Sequence, residues 1–282
     1  MTHTLRFMII GDIIGTPGIM MFQKWAPKLK EQFAIDAIIV NGENANKNAM
    51  GFLPKHVDQL KAAGANVVTS GNHCWDQKEV YAALNERDDV IRPANYPPGT
   101  PGRGHTFIQV SGLTVAVINL HGRVFVRDNL DCPFRAIESL LTFVRSKTQI
   151  VFVDMHAEAT SEKRAMGMFL DGRVSAVFGS HTHIQTADEF IQPGGTAYVT
   201  DLGGCGPLNS VLGMEFSGML PHFLIHRKMG KMVVEHKGSM VLSGIWVEVD
   251  TSTGKAVRVE HIRIVDDELQ QQVPPAESPQ KH

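Results

Sequence analysis

Short apolar runs alternate with amphipathic stretches along the first two thirds of the chain. Residues 5–10 read as a strand, and the residues after Pro17 as a helix whose apolar Met21, Trp25 and Leu29 recur at helical spacing. Residues 37–40 form the second strand, 54–63 the next helix and 66–69 the third strand. Residues 109–110 and 113–119 flank Ser111-Gly112, which suits a two-residue hairpin turn. A helix over 133–145 and a strand over 149–154 follow, then a helix over 161–170 with Ser161 as its N-cap. Residues 175–179 and 196–200 are further strands. The early strands are apolar throughout rather than alternating, which predicts a sheet covered on both faces.

From Met232 the rhythm changes to strand after strand, over 232–236, 240–250 and 256–264, with a turn at 251–254. The pattern predicts an α/β sandwich of mixed sheets flanked by helices, ending in antiparallel strands. No repeat or linker divides it, so residues 1–266 read as one domain. The remainder, 267–282, is rich in Pro, Gln and polar residues and reads as a disordered tail.

Composition narrows the class without naming a function. With 43% hydrophobic and 20% charged residues over 282 positions, a disordered or fibrous chain is excluded. The balance of 27 basic against 29 acidic residues, a net charge of −2, leaves no extended surface for nucleic acid or anionic membrane. A small anionic substrate needs only a local site. The three cysteines, Cys74, Cys132 and Cys205, form no CxxC pair, so neither a disulfide framework nor a thiolate zinc site is expected. No signal peptide and no run of roughly 18 apolar residues is present, and a cytoplasmic location is the expectation.

The chemistry sits at strand ends. Asp12 follows the first strand, Glu43 and Asn44 the second, and Asn72 and His73 the third; His156 follows the strand ending at Asp154, and His181 and His183 the one ending at Gly179. Ligands of open α/β sheets gather outside the carboxyl ends of the strands. Five strand ends would therefore bring two carboxylates, two amides and four imidazoles to one rim. Any single one of the 13 histidines is more often a surface or hydrogen-bonded residue than a ligand, so the signal lies in the coincidence of position. Oxygen and imidazole ligands without thiolate suit Fe, Mn or Zn. Seven such groups suffice for two cations, with a bridging carboxylate and open positions for hydroxide and substrate, the arrangement that hydrolyses phosphate esters. The glycines of Gly11-Asp-Ile-Ile-Gly-Thr-Pro-Gly18 have the wrong spacing for a dinucleotide fingerprint.

Gly11-Asp12, Gly71-Asn72-His73, the lone His156 and Gly179-Ser-His-Thr-His183 resemble the calcineurin-like metallophosphoesterase superfamily. Ile14 stands where that superfamily usually has a histidine, and Asn41-Gly-Glu43-Asn44 replaces its usual Gly-Asp-x-x-Asp. With Gly15-Thr-Pro-Gly18, Gly71–Asp76, His156–Lys163 and Gly203–Pro207, these departures resemble the YmdB-like branch, bacterial cyclic-nucleotide phosphodiesterases, over residues 5–265. The resemblance implies that Asp12, Glu43, Asn44 and His183 hold one metal, and that Glu43, Asn72, His156 and His181 hold the other, Glu43 bridging. Asn44 then supplies the ligand that Ile14 cannot. His73 would protonate the leaving alkoxide, while metal-bound hydroxide attacks a 2′,3′- or 3′,5′-cyclic nucleotide such as cAMP. Two transition-metal ions per chain, Fe first among Fe, Mn and Zn, and self-association are also implied.

Other residues near these motifs carry weaker expectations. Cys74 and Cys205 are expected to pack, Glu158 to orient His156 or start a helix, and Arg123 to contact phosphate or form a surface salt bridge. His121 is given no role. A nucleotide sensor that binds without turnover would use the same ligands, and only His73 separates it from an enzyme.

Overall fold

The computed structural model describes residues 3–226 and 232–269. In chain order the strands are β1 (Thr4–Ile10), β2 (Asp12–Ile13), β3 (Ala37–Asn41), β4 (Val67–Thr69), β5 (His105–Val110), β6 (Leu113–His121), β7 (Val151–His156), β8 (Ala176–Ser180), β9 (Phe190–Ile191), β10 (Ala197–Val199), β11 (Gly204–Pro207), β12 (Met240–Asp250) and β13 (Ala256–Asp266). The helices are α1 (Gly15–Gln32), α2 (Pro54–Ala62), α3 (Val80–Glu86), α4 (Pro133–Arg145), α5 (Thr160–Phe169) and α6 (Phe216–Ile225).

Two mixed sheets result. One runs β2-β11-β12-β1-β3-β4 with β13 on β12, the other β5-β6-β7-β8-β10-β9. Strands β1, β3 and β4 are parallel to one another, as are β6, β7 and β8, so each sheet presents a block of carboxyl ends at one edge. The chain closes with β12 and β13 antiparallel, as expected.

The apolar strands divide their side chains between two cores by simple alternation. Leu5, Phe7 and Ile9 point from β1 into the layer between the sheets, where Phe7 meets Phe152 with ring centroids 4.5 Å apart. Met8 and Ile10 point the other way, under Met21, Phe22 and Leu29 of α1 and Leu60 of α2. In the second sheet Val115 and Val117 join the inner layer, whereas Ile118 and Leu120 lie with Ile137 and Leu141 of α4 and Met166 of α5. Covering both faces of each sheet removes the need for polar alternation. The expected α/β sandwich is the observed one.

Several expectations need correction. The helix predicted from Ser161 starts at Thr160 with Ala159 as its cap residue, and no side chain caps it. Residues 232–236 do not form a strand; only Val234 makes an isolated bridge, to Met214. Strands β2, β9 and β11 and helices α3 and α6 went unpredicted. The hairpin stands, with Ser111 at φ 50° and Gly112 at φ 79°, both left-handed as a two-residue turn requires. Leu269 is buried, and the tail from residue 270 lies outside the described residues. Among the described residues, no helix is long and apolar enough to cross a membrane.

Candidate metal centre and active site

The eight strand-end residues gather where the carboxyl edges of the two sheets meet. His156, the last residue of β7 and fully buried, is the hub. Its Nε2 lies 3.1 Å from Glu43 Oε1, 3.0 Å from Asn72 Oδ1 and 3.1 Å from His181 Nδ1. Glu43, His156 and His181 each offer a ligand atom within 4.8 Å of the others. Asn44 Oδ1 lies 3.2 Å from His183 Nε2, and Asp12 Oδ1 lies 3.9 Å from His156 Nδ1.

The proton count in this cluster is unusual. His183 Nδ1 donates to the Leu212 carbonyl at 3.1 Å, so in the neutral imidazole Nε2 carries the lone pair. Asn44 spends its NH2 on the Ala49 carbonyl at 2.8 Å, so its carbonyl oxygen is what faces His183. Asp12 Oδ2 accepts the His181 backbone N–H at 3.1 Å, and its buried Oδ1 has no hydrogen-bond partner among the described residues. Acceptors thus converge on acceptors, with too few protons to join them. A cation resolves such a set, and oxygen plus imidazole donors suit a first-row transition metal. The residues fit the metal centre that the motifs imply.

Electrostatics point the same way. Burial raises the Asp12 carboxyl to about 6, with Glu43 and Asp201 adding and His183 and His156 opposing. Burial would also raise Glu43, but the charge and hydrogen bond of His156 hold it at about 2. Burial disfavours charge on His156, yet Glu43, Asp12 and Asp154 raise it to about 9. His156 grips a proton at the centre of the acceptor ring, the position for which a cation would compete. His181 is pushed down to about 3 by burial and by His156, and is a neutral donor of its lone pair.

The hub is held from behind by residues that the sequence reading passed over. Ser180 Oγ donates to Asp154 Oδ1 at 2.6 Å and therefore accepts from His156 Nδ1 at 2.9 Å, aiming Nε2 at the cluster. Asp154, fully buried, also accepts from Thr69 Oγ1 at 2.5 Å and Asn41 Nδ2 at 3.2 Å. Burial raises its carboxyl, and these hydrogen bonds and His156 oppose the rise. Asn41 Oδ1 in turn accepts the Glu43 N–H at 3.0 Å and sets that carboxylate's approach. Gly71 is glycine because a Cβ there would collide with Glu43 Oε2 and the His156 ring.

The loop carrying the last two histidines is strained. His181 sits at φ 102° and His183 at φ 63°, conformations that such side chains rarely adopt, at a cost on the order of 1–3 kcal/mol each. Thr182 N–H donates to Asp201 Oδ2 at 3.2 Å, and Gly204 N–H to the His183 carbonyl at 3.0 Å. Asp201 is itself gripped by the fully buried Lys163 at 2.6 Å. The surrounding structure fixes the loop in the geometry that turns both imidazoles inward.

His73 stands apart. Its side chain is 27% exposed, and its Nδ1 lies 2.6 Å from Asp76 Oδ2, which leaves Nε2 without a hydrogen-bond partner among the described residues. Glu158 contacts His181 Nε2 at 3.1 Å rather than His156. Arg123 forms no surface salt bridge among the described residues. Cys74 and Cys205 are buried thiols pushed well above their ordinary range by burial, with Cys74 Sγ 3.7 Å from Tyr96 Oη and Cys205 Sγ 3.5 Å from the Gly18 carbonyl. His121, given no role, is buried beside His156 with ring centroids 5.6 Å apart; its Nε2 is unpartnered, and burial and His156 lower it to about 4.

The model of the family described as YmdB-like protein matches residues 8–262. The chain belongs to the YmdB-like family. It is 43% identical over 265 residues to a protein of Bacillus subtilis (strain 168) named 2′,3′-cyclic-nucleotide 2′-phosphodiesterase, covering 94% of this chain and 99% of that one. A crystal structure described as a novel phosphatase from Mycoplasma pneumoniae superposes with TM-score 0.87 at 34% identity, over 96% of this chain and 98% of that one. A hypothetical protein from Thermus thermophilus gives TM-score 0.85 at 38% identity, over 93% and 100%. The motif resemblance and the enzyme class it implied, a metal-dependent phosphoesterase of the YmdB-like family, are borne out.

Proposed function

We propose that the protein is a dinuclear-metal phosphodiesterase that opens 2′,3′-cyclic nucleotides, with 3′,5′-cyclic nucleotides such as cAMP as the next candidates. The observation that carries this reading is the ring of acceptors around His156 Nε2, three of them at 3.0–3.1 Å. The Bacillus subtilis relative's name supports the choice of substrate. Asp12, Glu43, Asn44 and His183 would hold one metal, and Glu43, Asn72, His156 and His181 the other, with Fe ranked ahead of Mn and Zn. When bound, the pair polarises the phosphoryl group and supplies a nucleophile from water at neutral pH.

The chain's own groups do the rest. The Asp154–Ser180 pair fixes the His156 ring, and Glu158 takes the outer N–H of His181, so that each imidazole presents its inward nitrogen. Asp76 takes the Nδ1 proton of His73. Nε2 is then the nitrogen that delivers a proton to the departing ribose oxygen, as general-acid catalysis requires of a histidine at the rim. The test is metal analysis of protein purified without added metal, run beside a panel of 2′,3′- and 3′,5′-cyclic nucleotides. About two equivalents per chain and release of a ring-opened nucleotide are expected. Nucleotide affinity without product after long incubation would replace this reading with a sensor. Full activity at one equivalent would defeat the dinuclear mechanism.

A further inference from the structure

The loop that follows β6 is built with more care than a connection needs. It leaves the rim at His121, which pairs with His156 across the β6–β7 ladder, and Gly122 N–H donates to the His156 carbonyl at 2.9 Å. Glu162, only 8% exposed in the first turn of α5, turns its carboxylate to this loop: it accepts Arg123 N–H at 3.0 and 3.1 Å and Val124 N–H at 3.2 Å. At the far end, Asn95 accepts the His121 N–H and donates to the carbonyls of His121 and Asp131. Asn95 thus ties both ends of the loop, and the next residue, Tyr96, places its Oη 3.7 Å from the Sγ of Cys74, the neighbour of His73.

This anchoring holds up one residue. Phe125 sits at φ 64°, in the left-handed region where a bulky side chain is an outlier, and is 86% exposed. A strained backbone, pinned by a buried carboxylate, presents an aromatic ring to solvent beside the catalytic rim. Arg123 and Arg127 flank it, both exposed and with no guanidinium partner among the described residues. An aromatic ring between free cations suits a ligand that is flat and anionic, which an apolar peptide is not.

We propose that Phe125 is the nucleobase platform of this enzyme: its ring stacks on the base of the nucleotide whose phosphoester lies at the metal centre, and Glu162 is the positioning residue that sets the loop. The inference rests on the nucleotide reading above. Stacking of a base on an aromatic side chain corresponds to about 5- to 150-fold in affinity. In the metal-loaded full chain, Phe125→Ala should raise KM for 2′,3′-cyclic AMP within that range and leave kcat within about twofold. A base-free substrate, methyl riboside 2′,3′-cyclic phosphate, should be hydrolysed as by the wild type, and Phe125→Trp should restore affinity for the nucleotide. Calorimetric binding of 3′-AMP to the same variants repeats the comparison without turnover. If no cyclic diester is hydrolysed, the proposed function fails while the 3′-AMP arm still decides the platform. Unchanged 3′-AMP affinity, equal losses with and without a base, or a change confined to oligomeric state would overturn it.

Discussion

The floor and the rim of this site are built by different rules. The floor is strand ends and the turns that follow them directly: His156 and Asp154 are fully buried, Glu43 and Asn41 are 1% exposed, and each side chain is fixed by several partners at once. The rim is loop: the His73 ring meets Asp76 while its backbone N–H reaches Glu43 Oε2 at 3.4 Å, and Phe125 follows two backbone N–H groups held by Glu162. Packed strands give a metal site the sub-ångström placement that coordination demands, and a flexible edge lets groups reach a substrate that must enter and leave. Floor substitutions should therefore cost metal, and rim substitutions should cost rate or affinity at constant metal content.

The hardest test of that division is His156→Ala, which removes the hub from the acceptor ring. Metal content should fall from about two equivalents to one or fewer, and activity should fall with it, as metal analysis and turnover on the same sample will show. A variant that keeps both metals while losing activity would move His156 from the floor to the catalytic groups.

His73→Ala comes next and probes the rim. Turnover on a ribose leaving group should drop about 10²- to 10⁴-fold, the worth of general-acid catalysis. On p-nitrophenyl esters the loss should be smaller, since a stabilised phenolate leaves without much protonation, and metal content should stay at the wild-type level. Loss of metal, or equal slowing of both substrates, would make His73 a ligand or an electrostatic clamp.

The same division governs what the sequence disclosed. The strand ends were legible because both faces of each sheet are covered, so the strands read as unbroken apolar runs and their polar stops stand out. Asp154 was not, because it read only as the last residue of the strand over 149–154, which in fact continues to His156; its signal was a carboxylate two residues before His156, on the same pleat. Glu158 was expected to orient His156 or start a helix, yet His156 is locked in β7 while the left-handed loop swings His181 to meet that carboxylate. Helix α6 places Phe216, Met219, Leu220, Phe223 and Leu224 at helical spacing, but it carries Pro221 in its interior and buries none of its side chains, so the sequence reading passed over it. Strands β2 and β11 are short, and their pairing, Gly204 opposite Asp12, exists only in the tertiary structure. Ser161 failed as a cap because the helix starts one residue earlier, where Glu162 turns outward to the Phe125 loop.

Asp154→Asn sharpens the comparison from within the floor. An amide in place of the carboxylate puts an NH2 among the donors of Ser180, Thr69 and Asn41, and the Ser180–His156 link loosens. Metal affinity should weaken about 10- to 100-fold, the usual cost of disturbing the residues behind a ligand. Titration of metal into the stripped protein will measure it, and activity at saturating metal should return toward wild type. Unchanged affinity would mean that packing alone orients His156.

The smallest effect belongs to Asp76→Asn. Among the described residues the Asp76 carboxylate pairs with His73 Nδ1 and with no predicted ligand, and the two side chains are 31% and 27% exposed. Water and salt screen such a pair, so its coupling should be about 0.2–1 kcal/mol. That corresponds to a fall in turnover of about 1.4- to 5-fold on a ribose leaving group. An asparagine can still accept from Nδ1 through its carbonyl, so ring orientation should survive and most of the His73 contribution with it. Metal content and p-nitrophenyl turnover should not move, and the deficit relative to wild type should shrink as salt is added to both proteins. A loss as large as that of His73→Ala, insensitive to salt, would show that Asp76 is desolvated when substrate is bound, and the rim would then close over the nucleotide as tightly as the floor holds its metals.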